Sequence, residues 1–159
     1  MSAAPTLRRF RPDDLPTLIA LFRDTVRRIN SRDYSPEQVA AWAPDEVDPD
    51  RWATLADRFT IVAELEGEVA GFADLEPTGH VDRFFVHADH QGRGVGRAIL
   101  ASLVAEAVRV GLPRLFAEVS LTARPFFERM GFVVVADREV VLRGVTFANH
   151  RMERRLGID

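Results

Sequence analysis

The 159-residue sequence has no cysteine and no lysine; all 21 of its basic residues are arginine. Without a thiol there is no disulfide framework, no thiolate zinc site, no cysteine nucleophile and no thiol redox chemistry, and a reducing compartment is the natural setting. Without a lysine, Schiff-base chemistry, pyridoxal attachment and a P-loop phosphate lysine are excluded. No apolar run approaches 18 residues, and Met1 to Pro5 leads into Arg8, Arg9 and Arg11 rather than an apolar signal core, so the expectation is a soluble, cytoplasmic protein with no membrane partner. Charge of one sign is also scarce: a net charge of -3 gives no footprint for a nucleic-acid backbone, and nucleic acid is not an expected ligand. Repeats, low-complexity stretches and interdomain linkers are absent.

What is there suffices for one core. Hydrophobic residues at 47% and charged residues at 28% are ordinary globular usage, and the length fits a single domain over residues 1–159. Thr6 to Phe10 reads as a strand. Asp13 is placed to cap a helix whose Leu15, Leu18, Ile19, Phe22, Val26 and Ile29 share a face and which ends near Asn30. Ser35-Pro36-Glu37-Gln38 starts a second helix with a capping box, and Asp48-Pro49 starts a third running through Trp52 and Leu55. Thr60 to Leu65 and Glu68 to Leu75 are strand-like runs about a Glu66-Gly67 turn, and His80 to Val86 is a further run. A long amphipathic helix carries Ile99, Leu100, Leu103, Val104 and Val108 and stops at Gly111. Leu115 to Val119 is a strand and Ala123 to Met130 a short helix, before two strands, Val133 to Leu142 and Thr146 to Leu156, around Arg143-Gly144. The order predicts an α/β fold, a mixed sheet with helices on its faces.

One segment carries chemistry. His90-Gln91-Gly92-Arg93-Gly94-Val95-Gly96-Arg97 lies between an apolar strand and an amphipathic helix, where free main-chain N–H groups at a helix start make an anion seat. Glycines admit a phosphate closely, and Arg93 and Arg97 add charge at the rim; three glycines equally suit a tight strand-to-helix connection. A dinucleotide fingerprint starting at Gly92 or Gly94 requires a glycine or alanine at 97 or 99, which Arg97 and Ile99 do not provide.

Gln91-x-x-Gly94-x-Gly96 after Phe84-Phe85-Val86 resembles the signature of the GNAT superfamily of acetyl-CoA-dependent N-acetyltransferases. Phe126-Phe127-Glu128-Arg129-Met130-Gly131-Phe132 is similar to its late Y-E-x-x-G-F segment, and the element order agrees along nearly the whole chain. Asp33-Tyr34-Ser35-Pro36-Glu37-Gln38 with Ala41-Trp42-Ala43 resembles the YafP-like branch. The resemblance implies a mostly antiparallel seven-stranded sheet splayed between its fourth and fifth strands, with acetyl-CoA as cosubstrate. It implies main-chain contacts from Phe84, Phe85 and Val86 to the pantetheine arm. The pyrophosphate would lie on Gly92, Arg93, Gly94, Val95, Gly96 and Arg97, with Gln91 opening the turn and Ser120 and Phe127 beside the arm.

Aminolysis of a thioester needs a base, because an alkylammonium with a pKa of about 10.4 has no free lone pair at neutral pH. Glu118, at the end of the fifth strand, matches a glutamate used as base in some relatives; as a residue type it equally suits a solvated strand-end carboxylate. His80 and Asp82 alternate with Phe84 and are second candidates. Asp82 and Glu118 together predict an acidic lining suited to a cationic amine. The tyrosine that protonates the departing sulfur in many relatives is Phe127 here; Tyr34, the only tyrosine, is a candidate acid or an amphipathic packing residue. His87, His90 and His150 lack metal-site spacing, and no metal is expected. The leading expectation is an N-acetyltransferase acting on a primary amine of a small molecule or peptide, as a monomer or homodimer. The alternative is a catalytically silent CoA-binding sensor or interaction module.

Overall fold

The computed structural model describes residues 3–157 and arranges seven strands as two antiparallel sheets. The first holds β1 (Thr6–Arg9), β2 (Phe59–Leu65), β3 (Glu68–Leu75) and β4 (Val81–Val86) in that order; the second holds β5 (Arg114–Ser120), β7 (Val145–Arg155) and β6 (Val133–Leu142). They meet at one parallel bridge, His80 beside Phe116, where the Phe116 N–H donates to the Gly79 carbonyl at 3.0 Å. Gly79 makes that approach possible: its φ is +97°, and a Cβ there would lie 2.4 Å from the Arg114 carbonyl oxygen. Past the bridge β4 has no strand partner on its β5 side, so the splay the resemblance implied is a gap between two sheets.

Both sheet faces are covered, which is why β2 and β3 read as continuous apolar runs. On one face α4 (Val95–Arg109) packs Val95, Ile99, Leu100 and Leu103 over Ala63, Leu65, Ala73 and Leu75. On the other, α1 (Leu15–Arg28) packs Leu18, Leu21, Phe22 and Val26 with Trp52 and Leu55 against Val62 and Phe72. The hairpin turns are those expected: Glu66 and Gly67, and Arg143 and Gly144, all have positive φ, as a two-residue turn with a right-handed twist requires.

Local corrections concern helix starts and ends. Asp14, not Asp13, organises the entry to α1: its carboxylate accepts from the Arg11 N–H at 2.7 Å and takes both Arg8 guanidinium nitrogens at 2.8 Å, while Asp13 is exposed. The Ser35/Gln38 capping box opens α2 (Pro36–Trp42) as predicted. The third helix is shorter than expected: α3 (Pro49–Ala53) gives way to a 3-10 turn over Thr54–Asp57. The short late helix is α5 (Arg124–Arg129).

Candidate active site

Strand alternation decides which main-chain groups of β4 face the gap. The His87 N–H donates to the Ala70 carbonyl on the β3 side, so Phe85 faces β3 as well, and the N–H groups of Phe84 and Val86 face the opening. Of the three residues expected to meet a cofactor arm, Phe85 therefore contributes its side chain and not its main chain. The Val86 carbonyl is already taken, by Thr25 Oγ1 at 3.0 Å and Gln91 Nε2 at 2.8 Å. Gln91 thus pins the start of the turn to the strand end.

The turn then delivers the chain to α4 through a 3-10 turn at Ala88–His90 and two left-handed glycines, Gly92 at φ +73° and Gly94 at +83°. Gly94 is the N-cap, and the first intrahelical bond runs from the Ala98 N–H to its carbonyl, leaving the N–H groups of Val95, Gly96 and Arg97 without intrahelical acceptors. The first turn has no acidic residue to satisfy them. At Gly96 a Cβ would sit 3.0 and 3.1 Å from the Phe126 ring, so hydrogen at this position lets that ring close over the helix start. Among the described residues Arg97 has no carboxylate partner, and it lines the cleft. Arg93 does not line it: one guanidinium nitrogen is bonded to Glu66 and another lies 3.3 Å from His90 Nδ1.

The gap opens into a cleft of about 940 Å³ lined by β4, the glycine turn, β5, α5, the helical front third and the inner ends of β6 and β7. Phe127 is buried there, edge-on to Phe84 at 5.4 Å and to Phe132 at 5.0 Å, a packing residue with no proton to give. Ser120 lines the cleft, but its Oγ accepts from the Ala123 N–H at 3.0 Å and from Asn30 Nδ2 at 3.3 Å, which closes the turn into α5.

The catalytic candidates divide. The structure brings His80 and Glu118 together across the sheet junction, Nε2 to Oε1 at 2.7 Å, with the imidazole stacked on Phe116 and Nδ1 bonded to Glu76. Burial disfavours the charged imidazole, but the bond to Glu76 and the Glu118 charge outweigh it and hold the His80 pKa above 6.5. When protonated, His80 donates from both nitrogens, to Glu76 and to Glu118 Oε1. The Glu118 Oε2 faces Arg151 at 3.8 Å and Arg138 at 4.0 Å, too far for hydrogen bonds. Asp82 lines the cleft with Phe84 beside a bulge in the β3–β4 pairing at Asp74 and Leu75, but it is engaged by arginines, pairing with Arg58 at 2.6 Å and Arg51 at 3.5 Å. Burial raises its pKa less than these arginines lower it, so it stays ionised. The expected acidic lining is corrected accordingly: Arg58 bonds Asp82, and Arg138 and Arg151 stand near Glu118.

Tyr34 is buried, and its hydroxyl donates to the Ala148 carbonyl at 2.8 Å and accepts from the Leu121 N–H at 2.9 Å. The proton is committed to β7, and the residue ties the helical front to the ends of β5 and β7. Two residues the sequence reading passed over also belong to the cleft: Thr122 and Asn149 each carry a buried side-chain oxygen with no hydrogen-bond partner among the described residues. An orphaned polar atom of this kind costs about 1–3 kcal/mol. Among the described residues no cluster of three metal-ligating side chains occurs, and no helix is long and apolar enough to cross a membrane.

Two sheets splayed about a gap, with an acid-free helix start beside it, make a cleft with an anion seat at one end. A family model described as an acetyltransferase (GNAT) domain matches residues 30–154, and the chain belongs to that family. It is 35% identical over 147 residues to the uncharacterized N-acetyltransferase YafP of Escherichia coli K12, covering 92% of this chain and 93% of that one. The crystal structure of a GCN5-related N-acetyltransferase from Rhodopseudomonas palustris superposes with a TM-score of 0.92 at 32% identity, covering 98% of both chains. The structure of yncA, a putative acetyltransferase from Salmonella typhimurium with its cofactor acetyl-CoA, aligns over 99% of this chain and 96% of that one at TM-score 0.72 and 25% identity.

Proposed function

We propose that this protein transfers the acetyl group of acetyl-CoA to a primary amine by direct attack in a ternary complex, with Glu118 as general base. The observation that carries the reading is the seat at Gly92 to Arg97: free N–H groups at the start of a 15-residue helix, no acid in its first turn and an Arg97 with no carboxylate partner among the described residues, all beside a strand edge whose Phe84 and Val86 amides face the gap. The diphosphate of coenzyme A fits the helix start, and its arm fits the open edge of β4. The structure solved with acetyl-CoA supports the choice of cosubstrate.

The chemistry follows from the residues. His80 holds Glu118 Oε1 and leaves Oε2 to take a proton from the substrate ammonium. The freed lone pair attacks the thioester carbonyl, a C–N bond forms, and a main-chain N–H of β4 stabilises the oxyanion. The nitrogen of the tetrahedral intermediate gives its second proton to water as collapse breaks the C–S bond. The sulfur leaves as thiolate and takes its proton from water, since a thiol pKa of about 8.5 makes it a tolerable leaving group and Phe127 has none to give. The exposed valines of β6, Val133, Val135 and Val141, offer a surface for a homodimer, and the protein acts as monomer or homodimer in the cytoplasm.

Thiol release from acetyl-CoA with a panel of amines tests the reading. Glu118→Gln is expected to lower kcat about 100-fold or more with coenzyme affinity nearly unchanged; an unaltered pH–rate profile removes Glu118 from the role. Phe127 favours a second reading, a silent coenzyme-binding module, and tight binding without acceptor-dependent thiol release identifies it.

A further inference from the structure

The inner face of the second sheet carries an arrangement that acetyl transfer alone does not require. Ser120 on β5, Asn149 on β7 and Arg138 on β6 stand opposite one another, and Glu118, Arg151 and Ala136 form the next row of the same face. The Arg138 guanidinium makes no hydrogen bond among the described residues; its one carboxylate neighbour is Glu118 at 4.0 Å, and the side chain is 37% exposed. A guanidinium left this free in a cleft is a fork for a planar anion. Beside it Asn149 Oδ1 is buried with no hydrogen-bond partner among the described residues, an acceptor that a substrate N–H can answer and a carboxylate cannot. Two residues further along the strands the face turns apolar: Val140 stands opposite Phe147, which packs on Trp42 at 6.3 Å.

We propose that Arg138 is the subsite for a carboxylate borne by the acceptor next to its reacting amine, the acceptor's apolar side chain lying on Val140, Phe147 and Trp42. Glu118 and Arg138 lie on outer strands of a three-stranded sheet and meet at only 4.0 Å. An amino carboxylate, whose opposite charges sit on neighbouring carbons, replaces that weak pair with two stronger ones, ammonium on Glu118 and carboxylate on Arg138. A cationic acceptor lacking the carboxylate leaves Arg138 unanswered in the cleft. The assignment rests on the acetyl-transfer reading above.

The test compares leucine with 3-methylbutylamine, which differ only in the carboxylate, by thiol release at saturating acetyl-CoA, with kcat/KM expressed per unprotonated amine. The native enzyme is expected to prefer leucine about tenfold or more, the scale of one charge-assisted hydrogen bond. Arg138→Gln is expected to collapse that ratio towards one, and Arg138→Lys to retain part of it. A native ratio of one or below overturns the subsite, as does an Arg138→Gln enzyme that lowers both amines equally and keeps the ratio. If Arg138→Gln no longer binds coenzyme A, the native ratio alone decides. Turnover of the simple amine but not of leucine sinks the subsite and leaves acetyl transfer standing; a full amine panel without any thiol release, despite acetyl-CoA binding, sinks the transferase reading and the subsite with it.

Discussion

Gly96→Val probes the coenzyme seat where its geometry is tightest. A Cβ at this position lies 3.0 and 3.1 Å from the Phe126 ring and 3.6 Å from Phe84, against ordinary carbon contacts of about 3.5–4.0 Å, and valine adds two methyl groups beyond it. Overpacking of this kind costs about 1–3 kcal/mol, offset by about 0.4 kcal/mol from replacing a glycine inside a helix. A net loss of about 0.6–2.6 kcal/mol corresponds to a melting temperature lower by about 1–10 °C in a chain of this size. Binding should suffer more than folding. If the displaced Phe126 and the new methyl groups crowd the first turn, the loss of even one charge-assisted hydrogen bond from the helix N–H groups weakens coenzyme A about 10- to 150-fold. Calorimetric unfolding and titration with coenzyme A measure the two effects separately. A folded Gly96→Val protein that binds coenzyme A as tightly as the native one refutes the placement of the diphosphate at the start of α4.

Tyr34→Phe removes the partner of the Leu121 N–H and of the Ala148 carbonyl. It should cost about 1–3 kcal/mol in urea unfolding while thiol release per folded enzyme persists; complete loss of turnover with intact stability would instead make Tyr34 the acid. His80 should titrate above 6.5 when followed by NMR, and Glu76→Gln should bring its midpoint down, because the Glu76 bond is the largest contribution raising it. Since the folded pKa is the raised one, the stability His80 contributes is fully present below about pH 6.5 and fades as pH rises through the folded value. A midpoint unmoved by Glu76→Gln contradicts the pairing.

Local rules made much of the fold legible. The Ser35/Gln38 capping box, the prolines opening α2 and α3 and the Glu66-Gly67 and Arg143-Gly144 turns all depend on neighbours within four residues, and each forms as read. The glycine turn was legible for the same reason, and the family is the one its residues resembled. Errors arose where a distant partner competed. Asp14 displaced Asp13 because Arg8 reaches it from β1, and Asp82 is held by Arg58 and Arg51, partners that no local pattern marks.

The sequence by itself determined the elements, their order, the glycine-rich start of α4 and the absence of thiol and lysine chemistry, because periodicity, caps and turn geometry are written in adjacent residues. The partners of the charged groups were decided only by the tertiary structure. Glu118 meets His80 across 38 positions of chain, Tyr34 bonds a carbonyl 114 positions away, and Arg93 turns to Glu66 on the β2–β3 turn. Such pairings depend on which strands are neighbours and on the register between them, and a one-residue slip would turn every side chain to the opposite face.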